Sequence, residues 1–357
     1  MYEKFILNLI KNNTEKTKIY AKKKRFDMMK KLLLLSFLVA ILFTFSCKSN
    51  KYDNLPPTLA ELCRNIDKSP KNSDLYQQRA LYYYKNGKND DALADILYAI
   101  RLDDKKSTYY VTLADIYLGK SETDLTEDML KKAISIDNLN EAYLKLAELY
   151  LYQYMFKECD ETLETAIRLQ KHNPKAFLTK AFMLKEQGDT TGYIRMMQLV
   201  IDQDPNEVIA YTGLAEFFQE KKDPIAVSYF KNALEIKPND KLLNYNLARL
   251  YQDLGQNELA KEQYLNLLSI DPNSYPSYNN LGYIAFFEDN YEEAVRYYTK
   301  TIEIDPTAYI AWGNRGLAYE YLEEWAKARE DYLKCLEINP DYESAISGLN
   351  NLDAQKK

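Results

Sequence analysis

Histidine is nearly missing from this 357-residue chain, which holds one, His172. Histidine metal clusters and Ser/His or Cys/His nucleophile pairs therefore have nothing else to draw on. His172 falls in a turn between two repeating segments, where a solvated surface residue is expected. Glycine (10) and proline (11) are scarce as well. No glycine-rich run could cradle a phosphate, and few breaks interrupt long helices. The four cysteines show no metal-ligand spacing. Long β-rich stretches are absent. What is present, 46% hydrophobic and 28% charged residues, suits a folded all-α body. No cofactor and no enzymatic activity are expected: carboxylates are plentiful, but they fall on outer helix faces.

The N-terminus reads separately. "LLLLSFLVAILFTF" (32–45) follows Lys30 and Lys31 and precedes Ser46 and Cys47. A basic flank, a short apolar run and a small residue at the cut site describe a secretory signal. Residues 1–47 are taken as this leader, and Met28 and Met29 offer starts that would give it ordinary length. The leader holds 10 of the 47 Lys+Arg and 3 of the 53 Asp+Glu, so residues 48–357 carry a formal net charge of −13. Nucleic acid is excluded as an expected partner, since phosphate binding needs clustered cations.

Proline reveals a period. Pro205, Pro238, Pro272, Pro306 and Pro340 follow at intervals of 33, 34, 34 and 34, which implies a solenoid of small helical units. Units begin at Ser73, Ser107, Asn140, Pro174, Val208, Lys241, Tyr275 and Tyr309. Their eighth residues are Ala80, Ala114, Ala147, Ala181, Ala215, Ala248, Gly282 and Gly316, all small. The fourth are aromatic except Asn244. A second helix follows in each unit, with a small residue such as Ala92, Ala226, Ala260, Ala294 or Ala328 in its first turns. Small residues let two helices approach, and the aromatics fill the space beside them.

This pattern resembles the tetratricopeptide repeat. In "AWGNRGLAYEYLEEWAKAREDYLKCLEINP" (311–340), Trp312, Gly316, Tyr319, Ala328, Tyr332 and Pro340 match its consensus. The second unit departs with Thr126 in place of the small alanine, and the fourth with Tyr193. The resemblance implies a right-handed superhelical solenoid of about eight repeats over 73–340, with a C-terminal capping helix and tail in 341–357. Pro56 and Pro57 open a half-unit cap, "TLAELCRNI", within 56–70, and 48–55 form a polar tether. The Cys47 context similarly resembles bacterial lipoproteins, although Thr44 departs from the leucine usually found there. It implies acylation, as with palmitate, and a membrane-anchored protein of the bacterial cell envelope, at the outer membrane. Cys159 and Cys335 sit at core positions five units apart, too far for a disulfide, and are expected as buried free thiols.

On each first helix the fourth, seventh, eighth and eleventh residues form the packing face. The second, sixth, ninth and thirteenth point away, and the resemblance makes that side a concave groove. Asn246, Asn280 and Asn314 are sixth residues, so three units present an amide at one spacing of 34. An amide both donates and accepts, as a peptide backbone requires of its binder. A unit spacing of about 8–10 Å matches roughly three residues of extended chain. The repeat region of a sugar transferase is similar. Tyr245, Arg249, Asn279, Tyr283 and Tyr321 are expected on the same wall. In the front half Leu81, Tyr84, Val111, Leu118, Leu144, Leu151, Leu178 and Phe182 form a possible strip there, read as half-buried against the next unit. The family's carboxylate clamp needs lysine at a fifth residue, and Gln77, Val111, Leu144, Leu178, Thr212, Tyr245, Asn279 and Gly313 occupy those places.

The sequence thus points to an adaptor that binds an extended peptide or partner protein. An assembly subunit binding through solenoid edges and a glycan receptor stacking sugars on Tyr245 and Tyr283 are the alternatives.

Overall fold

A computed structural model describes Tyr52 and residues 54–354. The leader, Cys47 and most of the tether lie outside these residues. Among the described residues there are eighteen α-helices and no strand. None of those helices is long and apolar enough to cross a membrane.

The chain divides into two compact units. The first, through Glu186, holds α1 (Pro57–Lys68), α2 (Ser73–Lys85), α3 (Asn89–Leu102), α4 (Ser107–Gly119), α5 (Thr123–Ile136), α6 (Asn140–Tyr152), α7 (Phe156–Leu169) and α8 (Pro174–Glu186). The second, from Gln187, holds α9 (Thr190–Gln203), α10 (Val208–Glu220), α11 (Ile225–Ile236), α12 (Lys241–Asp253), α13 (Asn257–Ile270), α14 (Tyr275–Phe287), α15 (Tyr291–Ile304), α16 (Tyr309–Tyr321), α17 (Trp325–Ile338) and α18 (Glu343–Ala354). Within each unit successive helices pair into hairpins, α2 on α3 and α14 on α15 for example, and each hairpin packs on the next. The helix opening each repeat is called A and its return partner B.

Three recurring devices build the repeat. The first is a turn. Gly87, Ser121, Tyr154, Gly188, Lys222, Gly255, Asp289 and Glu323 all have φ between +55° and +77°, and each follows an A helix. Left-handed backbone is the usual way to end a helix and reverse the chain. Only three of the eight positions use glycine, the residue that adopts it without cost.

The second device is one bulky, fully buried side chain on each B helix. In order these are Ile96, Leu130 and Leu163 in the first unit, and Met197, Phe230, Tyr264, Tyr298 and Tyr332 in the second. Burying such a side chain contributes about 1.5–3 kcal/mol. The rings need space, and small A-helix residues provide it. A Cβ on Gly282 would stand 2.7 Å from the Tyr298 ring, and one on Gly316 2.9 Å from the Tyr332 ring. Tyr193, where a small residue was expected, is accommodated by Gly213, whose added Cβ would meet the hydroxyl at 2.6 Å.

The third device ties the fourth position to the preceding turn in four of the eight repeats. Tyr76 Oη donates to the Pro70 carbonyl at 3.0 Å and Tyr110 Oη to that of Asp104 at 3.2 Å. Trp312 Nε1 donates to the Pro306 carbonyl at 3.0 Å. Each bond reaches six residues back and satisfies a carbonyl in the preceding inter-repeat turn. Asn244, the exception in sequence, makes the same bond to Pro238 at 2.9 Å. Its Oδ1 then accepts from Gln263 and Asn266, so the fully buried amide is satisfied at both ends.

Cys63, Cys159 and Cys335 are buried free thiols. Burial pushes the Cys159 thiol up to about 12 and the Cys335 thiol to about 11, which keeps both protonated and unreactive. His172 is exposed, as a solvated turn residue should be.

Candidate functional site: the A-helix wall of the second unit

Of the predicted groove residues, α12 carries Tyr245, Asn246 and Arg249, α14 carries Asn279, Asn280 and Tyr283, and α16 carries Asn314 and Tyr321. α14 lies against α16, and Asn280 Nδ2 reaches across to the Tyr245 hydroxyl of α12 at 3.2 Å.

The three asparagines do different things. Asn280 Nδ2 also donates to the Tyr264 hydroxyl at 2.9 Å, which in turn donates to Gln252 Oε1 at 3.0 Å. Asn314 stands beside the Tyr298 hydroxyl and eases the rise of its phenol. Burial pushes both phenols well above the ordinary tyrosine range, so they remain neutral hydroxyls needing hydrogen-bond partners. The residue sixteen positions before Asn246 is Phe230, which has no hydroxyl. The Asn246 side chain has no partner among the described residues and is half-exposed. One amide of the expected ladder is therefore tied to the preceding B helix, a second stands beside its own phenol, and Asn246 stands free.

Asn279 has a buried Oδ1 without a hydrogen-bond partner among the described residues. Arg249 is exposed and only loosely paired, 4.0 Å from Asp253.

The second residues of the A helices add a feature missed from the sequence. Ile209, Leu242 and Ile310 are 50%, 64% and 42% exposed. In the first unit the same places hold Asp74, Thr108, Glu141 and Lys175. Local capping fixes Ile209 and Leu242 at their helix starts. Asp240 Oδ1 accepts from the Leu242 and Leu243 amides, and Glu207 Oε1 from the Ile209 amide. Pro276 holds the place between Leu242 and Ile310, so the row is aliphatic in three of the four second-unit repeats on the face assigned to the groove.

At the C-terminal ends of α14 and α16, with the start of α15 between them, lies an aromatic cluster. The Tyr283 and Phe287 rings are 4.5 Å apart, and Phe286 stands edge-on to Tyr291 at 5.3 Å and to Tyr321 at 5.2 Å. Tyr291 and Tyr321 stack at 4.8 Å. Phe287 and Tyr321 remain 63% and 57% exposed. The wall thus has an aliphatic row at the helix starts, amides in the middle and aromatics at the helix ends.

The first unit exposes aromatics at one A-helix end, Tyr152 and Tyr154, but has no aliphatic row at its helix starts. Leu81, Tyr84, Leu144, Leu151 and Leu178 are half-buried and Val111 is buried, leaving Leu118 and Phe182 exposed. Among the described residues no group of three or more His, Cys, Asp and Glu could hold a metal ion.

Comparison with known proteins agrees with this geometry. Tetratricopeptide-repeat family models match residues 226–281, 275–308 and 309–342. The human Protein O-mannosyl-transferase TMTC1 is 25% identical over 174 residues, 47% of this chain and 20% of that protein. The bovine BBSome complex member BBS4 is 28% identical over 183 residues, 49% of this chain and 34% of that one. The TPR repeat-containing protein YpiA of Bacillus subtilis is 26% identical over 155 residues, 41% of this chain and 37% of that one. The chain spans well under half the length of each. Among solved structures, the C-terminal part of a TPR repeat-containing protein from Cytophaga hutchinsonii superposes with a TM-score of 0.59 at 20% identity. It covers 66% of this chain and 98% of that one. The chain carries tetratricopeptide repeats and folds as a helical solenoid of them, an architecture that serves as a protein-interaction scaffold.

Proposed function

We propose that this protein is a membrane-anchored adaptor whose second unit holds an extended polypeptide along its A-helix wall. The observation that carries the reading is the exposed row of Ile209, Leu242 and Ile310, set beside the free amide of Asn246. Large side chains at these helix starts stay exposed rather than packed. Exposed apolar rows rimmed by polar groups mark interaction sites. The repeat spacing suits an extended chain, whose alternate side chains would meet the row while its backbone meets the amide.

A photo-crosslinking residue at position 242 tests this in cell envelopes. A discrete adduct is expected there and not from position 262, an exposed place on a B helix. Equal labelling from both would sink the proposal. The anchor is proposed on sequence grounds, through an acylated Cys47 in the bacterial envelope. Cys47→Ala should give a product without incorporated labelled fatty acid, and unchanged labelling would refute acylation at that residue.

A further inference from the structure

From the charge distribution we infer that the segment held by this wall is basic, with lysine or arginine side chains seated against the aromatic end. The inference rests on the reading above. The two units differ sharply in charge. Residues 48–186 hold 21 Lys+Arg against 22 Asp+Glu, whereas 187–357 hold 16 against 28, a formal net charge of −12. Nearly all the negative charge outside the leader belongs to the unit that carries the wall.

Part of it lies along the edge where the A helices end. The A helices α10, α12, α14 and α16 end near Glu220, Asp253, Asp289 and Glu323. Helix C-termini carry a partial negative charge that a basic residue in the last turn would offset. None of these four helices has one; in the first unit α2 and α8 have Lys85 and Lys185, while α4 and α6 have none. Lys221 and Lys222 follow α10 only. Asp289 and Glu323 have no cation partner among the described residues. Asp289 Oδ1 instead accepts from the Tyr291 hydroxyl at 2.7 Å, inside the aromatic cluster. Carboxylates, helix C-termini and exposed aromatic faces all favour a cation at one place. An anionic or C-terminal carboxylate ligand would be repelled there.

The test uses the full chain and fluorescent twelve-residue peptides in which Lys or Arg alternates with Leu or Val. Matched peptides carry Gln or Glu at the charged places. Anisotropy titrations at low salt should show the basic peptide binding about ten-fold tighter than the Gln peptide, with the preference shrinking as salt rises. Asp289→Asn with Glu323→Gln should weaken the basic peptide about five-fold and leave the Gln peptide unchanged. A control pair on exposed B-helix positions, Glu262→Gln with Glu330→Gln, removes the same charge and should lose less than about two-fold. Thermal melts confirm that both variants are folded. Equal binding of basic and Gln peptides, or equal loss in the two pairs, overturns the inference while the wall remains a peptide site. Binding that survives Leu242→Asp, or no binding by any peptide, overturns the wall itself.

Discussion

The side-chain amide of Asn280 donates to the hydroxyl of Tyr264, sixteen residues earlier and on the preceding B helix. The bond joins two repeats and satisfies a phenol otherwise fully buried. It gives Asn280 a structural reason to occupy a helix despite its poor propensity.

Asn280→Ala should therefore destabilise the second unit by about 1 kcal/mol, the net worth of one neutral hydrogen bond. Asn314→Ala should lose less, because Asn314 only stands beside the Tyr298 hydroxyl. Asn246→Ala should be neutral or gain a few tenths of a kcal/mol, because alanine is the better helix former and Phe230 needs no partner. A double-mutant cycle of Asn280→Ala with Tyr264→Phe measures the coupling. An additive cycle would show that the bond contributes nothing.

This pair also shows where sequence reading stopped. The eight A-helix starts and the small eighth residues were legible because burial against a neighbour forces periodic size. The roles of Asn280 and Asn314 were not, since period alone cannot separate an amide facing solvent from one facing a hydroxyl on another helix. Gly348 makes the same point: it stands sixteen residues after Tyr332, where an asparagine would recur, and a Cβ there would lie 2.4 Å from the ring. The Tyr332 hydroxyl donates instead to Glu320 at 2.8 Å.

Close approach makes Gly316 a sensitive position. Its neighbours are the Tyr332 ring and, at 3.2 Å from an added Cβ, the Ala328 carbonyl. Because one neighbour is backbone, Gly316→Leu should overpack by about 1–3 kcal/mol. Hydrogen exchange should locate the loss in α16, α17 and α18, since each repeat touches only its neighbours. Uniform loss of protection throughout the second unit would contradict this.

The turns can be improved. Ser121 and Lys222 hold left-handed backbone at φ 60° and 55°, which strains a residue with a Cβ by about 1–2 kcal/mol. Replacing either with glycine relieves that strain at some entropic cost, for a net gain of about 0.5–1 kcal/mol. Gly87→Ala and Gly255→Ala should lose a similar amount, although no atom lies within 4 Å of the added Cβ. Thermal melts of the four variants decide, and a loss in both glycine-gaining variants would contradict the argument.

The last prediction concerns a buried ion pair that occurs twice. Arg79 meets Asp95 through two bonds of 2.6 and 2.7 Å, and Arg315 meets Asp331 through two of 2.7 and 2.8 Å. Both pairs occupy the same two repeat positions, in the first and last repeats. Burial pushes the Asp331 carboxyl up, and the Arg315 guanidinium beside it pulls it back. The second repeat has Leu113 and Met129 at these positions, so the scaffold already accepts an apolar pair. Removing one partner strands a buried charge, and Asp95→Ala should cost about 3–5 kcal/mol. Removing both desolvation penalties is a different experiment. Arg79→Leu with Asp95→Met copies the neighbouring repeat and should be neutral or stabilising by about 1–4 kcal/mol. Denaturant titration of the wild type, the single and the double variant settles the sign. A double variant as unstable as the single would mean that the pair contributes net stability at the end of the array, where fewer neighbours bury it.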